Sequence, residues 1–359
     1  MSVTARFTKK LSNMTLDISF EAGGGKIALI GESGSGKSMT LKCIAGIETP
    51  DEGIIEIDGE TVFDSSRKIN LPPRLRGCGY LFQSYALFPR LSARKNIELA
   101  LSCSPAETRN ISDDLLRRFG LWDVRDRKPS FMSGGQQQRL ALARMLAPSP
   151  RVLFLDEPFS ALDRVVKERV EEELRESLSA FPGTVVLVTH DKDEAYRFCD
   201  AMIVVHAGTV AEQGGRDALF GGCATAQCAR LTGCFNISRA MRAGEKRIAV
   251  PDWGLLLETS SPVPDGDFFA GVRPHSIRER TRGDLSNCQV FERLSRVESP
   301  HSVSERLVSC TPPGYAGGDR GTRIPLIREY GVSARPKAGE ADGTQTVLHI
   351  PPESVLILK

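Results

Sequence analysis

The stretch Gly31-Glu32-Ser33-Gly34-Ser35-Gly36-Lys37-Ser38 sets spaced glycines before a lysine and a hydroxyl, residue types suited to holding a polyphosphate. Glycines let backbone N–H groups converge on phosphate oxygens, and a helix N-terminus just beyond favours an anion. In that setting Lys37 would reach the β- and γ-phosphates of a nucleotide, and the Ser38 hydroxyl would ligate Mg²⁺. A second group follows the apolar run Val152-Leu153-Phe154-Leu155, which ends in Asp156 and Glu157. A buried strand delivers side chains at its carboxyl end with little positional freedom. Asp156 would there hold Mg²⁺, and Glu157 would act as general base toward an attacking water. A third group, Ser133-Gly134-Gly135-Gln136, precedes a helical stretch at 140–147 that stops before Pro148. Ser133 suits an N-cap, but two glycines weaken a first turn and are unnecessary for capping. They do let backbone amides approach an anion, so the chain offers two phosphate-reading helix starts.

These groups need a scaffold, and the sequence supplies its signals. Residues 26–30 read as a short buried strand and 39–45 as a helix that stops at Gly46, giving the strand, loop, helix order that a phosphate loop requires. Residues 14–20 alternate, apolar on even numbers, as a half-buried strand does. Segments 54–57 and 61–63 flank Asp58-Gly59, a hairpin signal. The run 112–119 reads as a helix closed by Gly120, with acids early and arginines late as the helix dipole prefers. Buried-strand patterns recur at 151–155, 184–189 and 201–205, separated by helical segments such as 163–179. Together they predict an α/β fold: a mainly parallel sheet covered on both faces, joined by an antiparallel β layer and a helical subdomain. Beyond about residue 236 short strands (247–250, 255–257, 268–272, 346–350) alternate with glycine- and proline-rich turns, the pattern of a small all-β barrel or sandwich. Strand signals are weak across 311–345.

A chain of 359 residues fits two domains. The net charge of +2, from 47 basic and 45 acidic residues without a basic run, gives no call for a nucleic-acid partner. The sequence begins without a signal peptide, and its apolar runs fall short of the about 20 residues that cross a bilayer, so any membrane work would need other chains. The nine cysteines include no C-x-x-C pair, which favours reduced thiols in a cytoplasmic protein over a metal site at Cys223, Cys228 and Cys234. Cys43, in the helix after the phosphate loop, raises the expectation that alkylation there blocks nucleotide.

Over about residues 1–235 these motifs, in this order, resemble the ATP-binding cassette (ABC) family, specifically an importer's ATPase subunit. The resemblance implies a P-loop NTPase core using ATP and Mg²⁺. Gly31 to Ser38, with Met39, would be its Walker A loop, and Leu153 to Glu157 its Walker B strand with the catalytic glutamate. Gln83 in Tyr80-Leu81-Phe82-Gln83 matches the Q-loop glutamine, a further metal ligand. Ser133-Gly134-Gly135-Gln136 matches the signature, with Met132 where leucine is usual. Ser160-Ala161-Leu162-Asp163 matches the D-loop, and His190 the catalytic switch histidine. The resemblance also implies a head-to-tail homodimer in which one subunit's signature covers ATP on the other. The segment Tyr85-Ala86-Leu87-Phe88-Pro89 would face integral membrane permease subunits, placing the chain peripherally at the cytoplasmic face of the cell membrane. The family's adenine-stacking aromatic is missing: Leu11 stands there, and Phe7 is the candidate substitute.

The linker 231–239, the segment 271–278 and the ending 350–358 resemble molybdate and sulfate importer subunits that carry an accessory oligonucleotide-binding-like (TOBE) domain, here residues 236–359. This implies a cargo oxyanion, molybdate or tungstate first, delivered by a separate substrate-binding protein. It also implies a regulatory oxyanion in the C-terminal domain, with Arg273 and Ser276 as candidate ligands. The alternatives are sulfate, iron or polyamine as cargo, a soluble ABC ATPase acting on nucleic acid or ribosomes, and a purely regulatory oxyanion-binding protein.

Overall fold

The computed structural model describes residues 2–160, 164–179, 181–284, 286–310, 323–331 and 345–359. It divides into two compact units, Met1–Arg216 and Asp217–Lys359. The sequence reading set the boundary at 235. Residues 217–235 fall in the second unit, where the Ala226 N–H donates to the Lys359 carbonyl and the Lys359 N–H to that of Ala224.

The first unit starts with strands β1 (Ser2–Lys10) and β2 (Thr15–Gly23), then β3 (Lys26–Ile30) and helix α1 (Lys37–Ala45). In β2 every even-numbered residue from Leu16 to Ala22 is buried, as the alternation requires. β1, which shares that period through Val3, Ala5 and Phe7, was not anticipated. Next come β4 (Glu52–Ile57), β5 (Glu60–Asp64), β6 (Ile69–Asn70) and β7 (Cys78–Leu81). The β4–β5 turn is the expected hairpin, with positive φ at both Asp58 and Gly59. Three helices follow: α2 (Ala93–Glu98), α3 (Pro105–Arg118) and α4 (Gly134–Leu146). The chain then alternates through β8 (Val152–Asp156), α5 (Arg164–Ser177), β9 (Thr184–Thr189), α6 (Lys192–Phe198), β10 (Ala201–His206) and β11 (Thr209–Gly215).

Among the described residues these strands form one sheet in the order β6-β5-β4-β1-β2-β11-β10-β3-β9-β8-β7. From β10 through β3, β9 and β8 to β7 every pairing is parallel, and the strands from β6 to β2 pair antiparallel. The antiparallel layer and the parallel core are therefore continuous. β8 and β9 are buried at every position, so helices must cover both of their faces. The apolar core runs from Val3, Phe7 and Ile55 through Leu41 and Ile44 to Phe154 and Val186.

The second unit carries α7 (Arg216–Gly221), which begins at the division, and α8 (Ala226–Leu231). Its strands are β12 (Asn236–Gly244), β13 (Arg247–Val250), β14 (Leu255–Glu258), β15 (Phe268–Val272) and β16 (Arg278–Glu279). They continue with β17 (Cys288–Glu298), β18 (Ser302–Ser309), β19 (Leu326–Gly331), β20 (Gln345–His349) and β21 (Val355–Leu358). Two sheets, β14-β13-β12-β15-β21 and β16-β20-β17-β18-β19, share a core that joins Ile248, Leu257 and Phe268 to Phe291, Leu307 and Leu348. This is the barrel-like all-β architecture expected from the sequence. No helix among the described residues is long and apolar enough to cross a membrane.

Candidate functional site

β3 runs into Gly31, and α1 starts at Lys37 with Gly36 as its N-cap at φ 104°. Glycine is required at both ends of this loop. A Cβ on Gly36 would lie 2.3 Å from Leu16 Cδ2, and one on Gly31 would lie 2.2 Å from the Val205 carbonyl oxygen. Glu32, Ser33 and Gly34 form the exposed tip, and half-buried Met39 packs on the apolar core. Lys37 is buried, and its Nζ donates to the carbonyls of Gly31 and Glu32 at 2.9 and 2.7 Å. Burial lowers its pKa below the usual lysine value, while the charges of Glu157, Asp156 and Glu32 pull the other way. Ser35 Oγ is buried without a hydrogen-bond partner. A buried hydroxyl left unpaired is costly, and a phosphate oxygen would satisfy it. The loop thus fits the polyphosphate that its sequence implied.

Asp156 ends β8 beside this loop. Ser38 Oγ donates to its Oδ1 at 2.6 Å and the Tyr80 hydroxyl to its Oδ2 at 2.8 Å. A hydroxyl and a carboxylate at that spacing are the hard oxygen donors that suit Mg²⁺. Tyr80 comes from β7, where its register opposite Phe154 places it on the Asp156 face of the sheet. Burial, then the Asp156 charge and their hydrogen bond, push its pKa well above the usual tyrosine value. The sequence reading gave Tyr80 no role, and its signal emerges only once β7 is paired with β8.

Glu157 turns the chain out of β8 at φ 46°, a left-handed value that costs a non-glycine residue about 1 kcal/mol or more. Its N–H donates to the Val188 carbonyl at 3.1 Å, and its Oε2 lies 3.6 Å from His190 Nδ1. That is ion-pair distance, longer than a hydrogen bond. Gln83 reaches the same turn through Ser160: its Nε2 donates to Ser160 Oγ at 2.8 Å, and that hydroxyl donates to the Glu157 carbonyl at 3.0 Å. In this structure the Gln83 amide is engaged there and not with Ser38 or Asp156. Asp163 lies outside the described residues.

The His190 turn is braced from behind. Lys167 Nζ, on α5, sits 2.6 Å from both Asp191 Oδ2 and Glu194 Oε1. Thr189 Oγ1 donates to Glu194 and accepts the Asp191 N–H. The hydrogen bonds to Lys167 hold Asp191 below the usual carboxylate range despite burial, and they raise the Lys167 pKa despite burial.

The third motif stands apart. Ser133 caps α4 in a reciprocal box with Gln136, at 3.3 Å from the Gln136 N–H to Ser133 Oγ and 3.0 Å from the Ser133 N–H to Gln136 Oε1. A Cβ added to Gly134 or Gly135 would meet nothing within 4 Å. Among the described residues, no hydrogen bond joins these four positions to the phosphate loop. The segment at Tyr85–Pro89 is held firmly: Arg144 donates to the Tyr85 and Ala86 carbonyls, and buried Asn96 bonds the N–H and carbonyl of Phe88. Phe88 is exposed, whereas Leu87 and Tyr85 are half-buried.

Three side expectations are corrected. Phe7 is buried in the β1 core and cannot stack on a base; Met14, partly buried on that core, is a side chain that reaches Gly36 of the loop. Cys43 is fully buried and its thiol is pushed up to about 12 by burial, so it is not a reactive gate to nucleotide. Arg273 is buried and commits both terminal guanidinium nitrogens to Thr232, donating to the carbonyl at 2.7 Å and to Oγ1 at 3.1 Å, and the Ser276 N–H closes the adjoining turn onto the Arg273 carbonyl. With those nitrogens engaged inside the protein, Arg273 is not placed as an oxyanion ligand.

Residues 11–160 match the family model described as ABC transporter. A sulfate/thiosulfate import ATP-binding protein, CysA, of Caulobacter vibrioides is 37% identical over 307 residues, 83% of this chain and 87% of that one. The chain belongs to the ABC transporter family. An Fe(3+) ions import ATP-binding protein, FbpC, of Streptomyces avermitilis is 37% identical over 75% of this chain and 76% of its own. The molybdenum import ATP-binding protein ModC of Paramagnetospirillum magneticum is 39% identical over 214 residues, and the alignment spans only 59% of each chain. A solved dimeric ATP-binding cassette bound to ADP and Pi is 30% identical, covering 60% of this chain and 99% of that one at a TM-score of 0.49.

Proposed function

We propose that this chain is the ATP-hydrolysing subunit of an importer, working as a homodimer under separate membrane subunits. The observation that carries the reading is the convergence of Ser38, Asp156, Glu157 and His190 beside the Lys37 loop. Lys37 and the loop amides would bind the phosphates, and Ser38 with Asp156 would hold Mg²⁺. When bound, Mg²⁺ supplies charge neutralisation on the phosphate oxygens. Glu157 would take the proton of the attacking water, and His190, 3.6 Å away, would orient that carboxylate. Gly134 and Gly135 would present the α4 amides to nucleotide on the partner subunit, which explains why nothing inside one protomer requires glycine there. Phe88, exposed on a rigidly held loop, would contact the membrane subunits and keep the protein at the cytoplasmic face of the membrane.

For cargo we propose an oxyanion, with molybdate or tungstate first, supported by the ModC relative and by a linker and tail that resemble molybdate and sulfate importer subunits. Sulfate is the second reading, favoured by the CysA relative whose match extends over more of the chain. Uptake of molybdenum, tungsten and sulfate would be measured in cells carrying wild type or Glu157→Gln. Loss confined to molybdenum and tungsten is expected. Loss of sulfate uptake alone moves the assignment to sulfate, and no change in any contradicts the oxyanion cargo, or transport itself.

A further inference from the structure

We propose that Tyr80 is a positioning residue for the cation site, holding Asp156 Oδ2 so that Oδ1 stays turned toward Ser38. The inference rests on the hydrolytic reading above and adds to it a residue to which those motifs assign no role. The Asp156 carboxylate accepts from two hydroxyls on different elements, Ser38 on α1 and Tyr80 on β7. They differ in what a cation would do to them. Ser38 would itself become a ligand and must turn its proton away, whereas Tyr80 can keep its bond throughout. Without Tyr80, a carboxylate on a single-bond hinge is free to rotate and to lose its bearing on the cation. Packing alone does not account for this side chain. Its ring lies 4.4 Å from Phe82 and 6.3 Å from Phe154, between centroids, and phenylalanine would serve as well. Tyr80 is half-buried, and its hydroxyl faces the Asp156 carboxylate at 2.8 Å, where donating to it offsets the lost contact with water, so the hydroxyl serves Asp156. Groups that orient a metal's direct ligands commonly change metal affinity by about 10–100-fold when removed.

The test compares affinity for a fluorescent ATP analogue in EDTA and in Mg²⁺, using the full chain. Tyr80→Phe should bind the metal-free nucleotide within about twofold of wild type. Its gain in affinity on adding Mg²⁺ should be about tenfold smaller, and half-maximal hydrolysis should need about tenfold more Mg²⁺. Thermal melting checks folding, and Tyr80→Met, which also lacks the hydroxyl, should show the same metal deficit. In an Asp156→Asn background, Tyr80→Phe should add nothing, because its effect passes through that carboxylate. An unchanged Mg²⁺ response in Tyr80→Phe, or an equal loss in the Asp156→Asn background, overturns the proposal. Wild-type protein that binds no nucleotide overturns the hydrolytic reading together with it.

Discussion

The two glycine-bearing helix starts differ in what they need from their own protomer. At α1, glycine is dictated from within: Gly36 is left-handed and pressed against Leu16, Gly31 against the Val205 carbonyl, and the adjoining Ser38 and Asp156 are already paired. At α4, Gly134 and Gly135 face open space, and the side chains of Ser133 and Gln136 each accept the other's backbone N–H. The first is a nearly finished anion site. On the proposed reading the second is the other half of such a site, waiting for nucleotide held by a partner. A homodimer that sets one against the other would use both.

The largest expected effect isolates the finished half. Glu157→Gln would remove the proposed base and keep the fold, so ATP hydrolysis should fall by about 100–10,000-fold while nucleotide binding persists, as measured by phosphate release and fluorescent-nucleotide titration. Retained hydrolysis would remove Glu157 from the chemistry.

Next in size, Gly36→Ala should lower stability by about 1–3 kcal/mol in chemical denaturation and abolish nucleotide binding, because the chain must leave the left-handed region. Lys167→Met should cost about 2 kcal/mol by leaving Glu194 and Asp191 without their shared cation. The sign with pH follows from the two shifts. Asp191 is held below 3.8, so its share is complete above that value and is lost as pH falls through the lowered pKa. Lys167 is raised above 10.5, so its share is complete below that value and is lost above the raised pKa. The wild-type advantage over Lys167→Met should therefore stay level near neutrality and shrink in strong acid, as followed by denaturation midpoints.

The smallest effect on stability is at α4. Gly135→Asp should leave the melting point unchanged or raise stability by up to about 1 kcal/mol, since an acid suits a helix N-terminus. The same carboxylate would repel a phosphate, so hydrolysis should fall although nucleotide binding by the protomer does not.

Much of this was legible in the sequence because the relevant signals are local. The alternation in β2, the Asp58-Gly59 turn, the apolar runs at the centres of the fully buried β8 and β9, and Gly46 closing α1 each follow from a few adjacent residues. What escaped depends on pairing across the chain. Tyr80 reaches Asp156 only because β7 lies in parallel register with β8, and Phe7 sinks from candidate base-stacker to core because β1 pairs with both β2 and β4. The start of α3 was local and still overlooked: Ser104 and Glu107 form a capping box, with Pro105 at the first helical position. In the second unit the alternation of β17 breaks where a bulge falls at Arg293–Ser295, and β18 alternates in burial but places Glu305, paired with Arg293 and Arg328, at a buried position where an apolar residue would be expected.

Sedimentation of Glu157→Gln with and without ATP tests most directly the claim that the two helix starts are halves of one site. The account predicts a monomer that becomes a dimer on adding ATP, and a Glu157→Gln, Gly135→Asp double variant that binds ATP yet stays monomeric. A protein that remains monomeric at saturating ATP, or a double variant that dimerises as readily as Glu157→Gln alone, would contradict it.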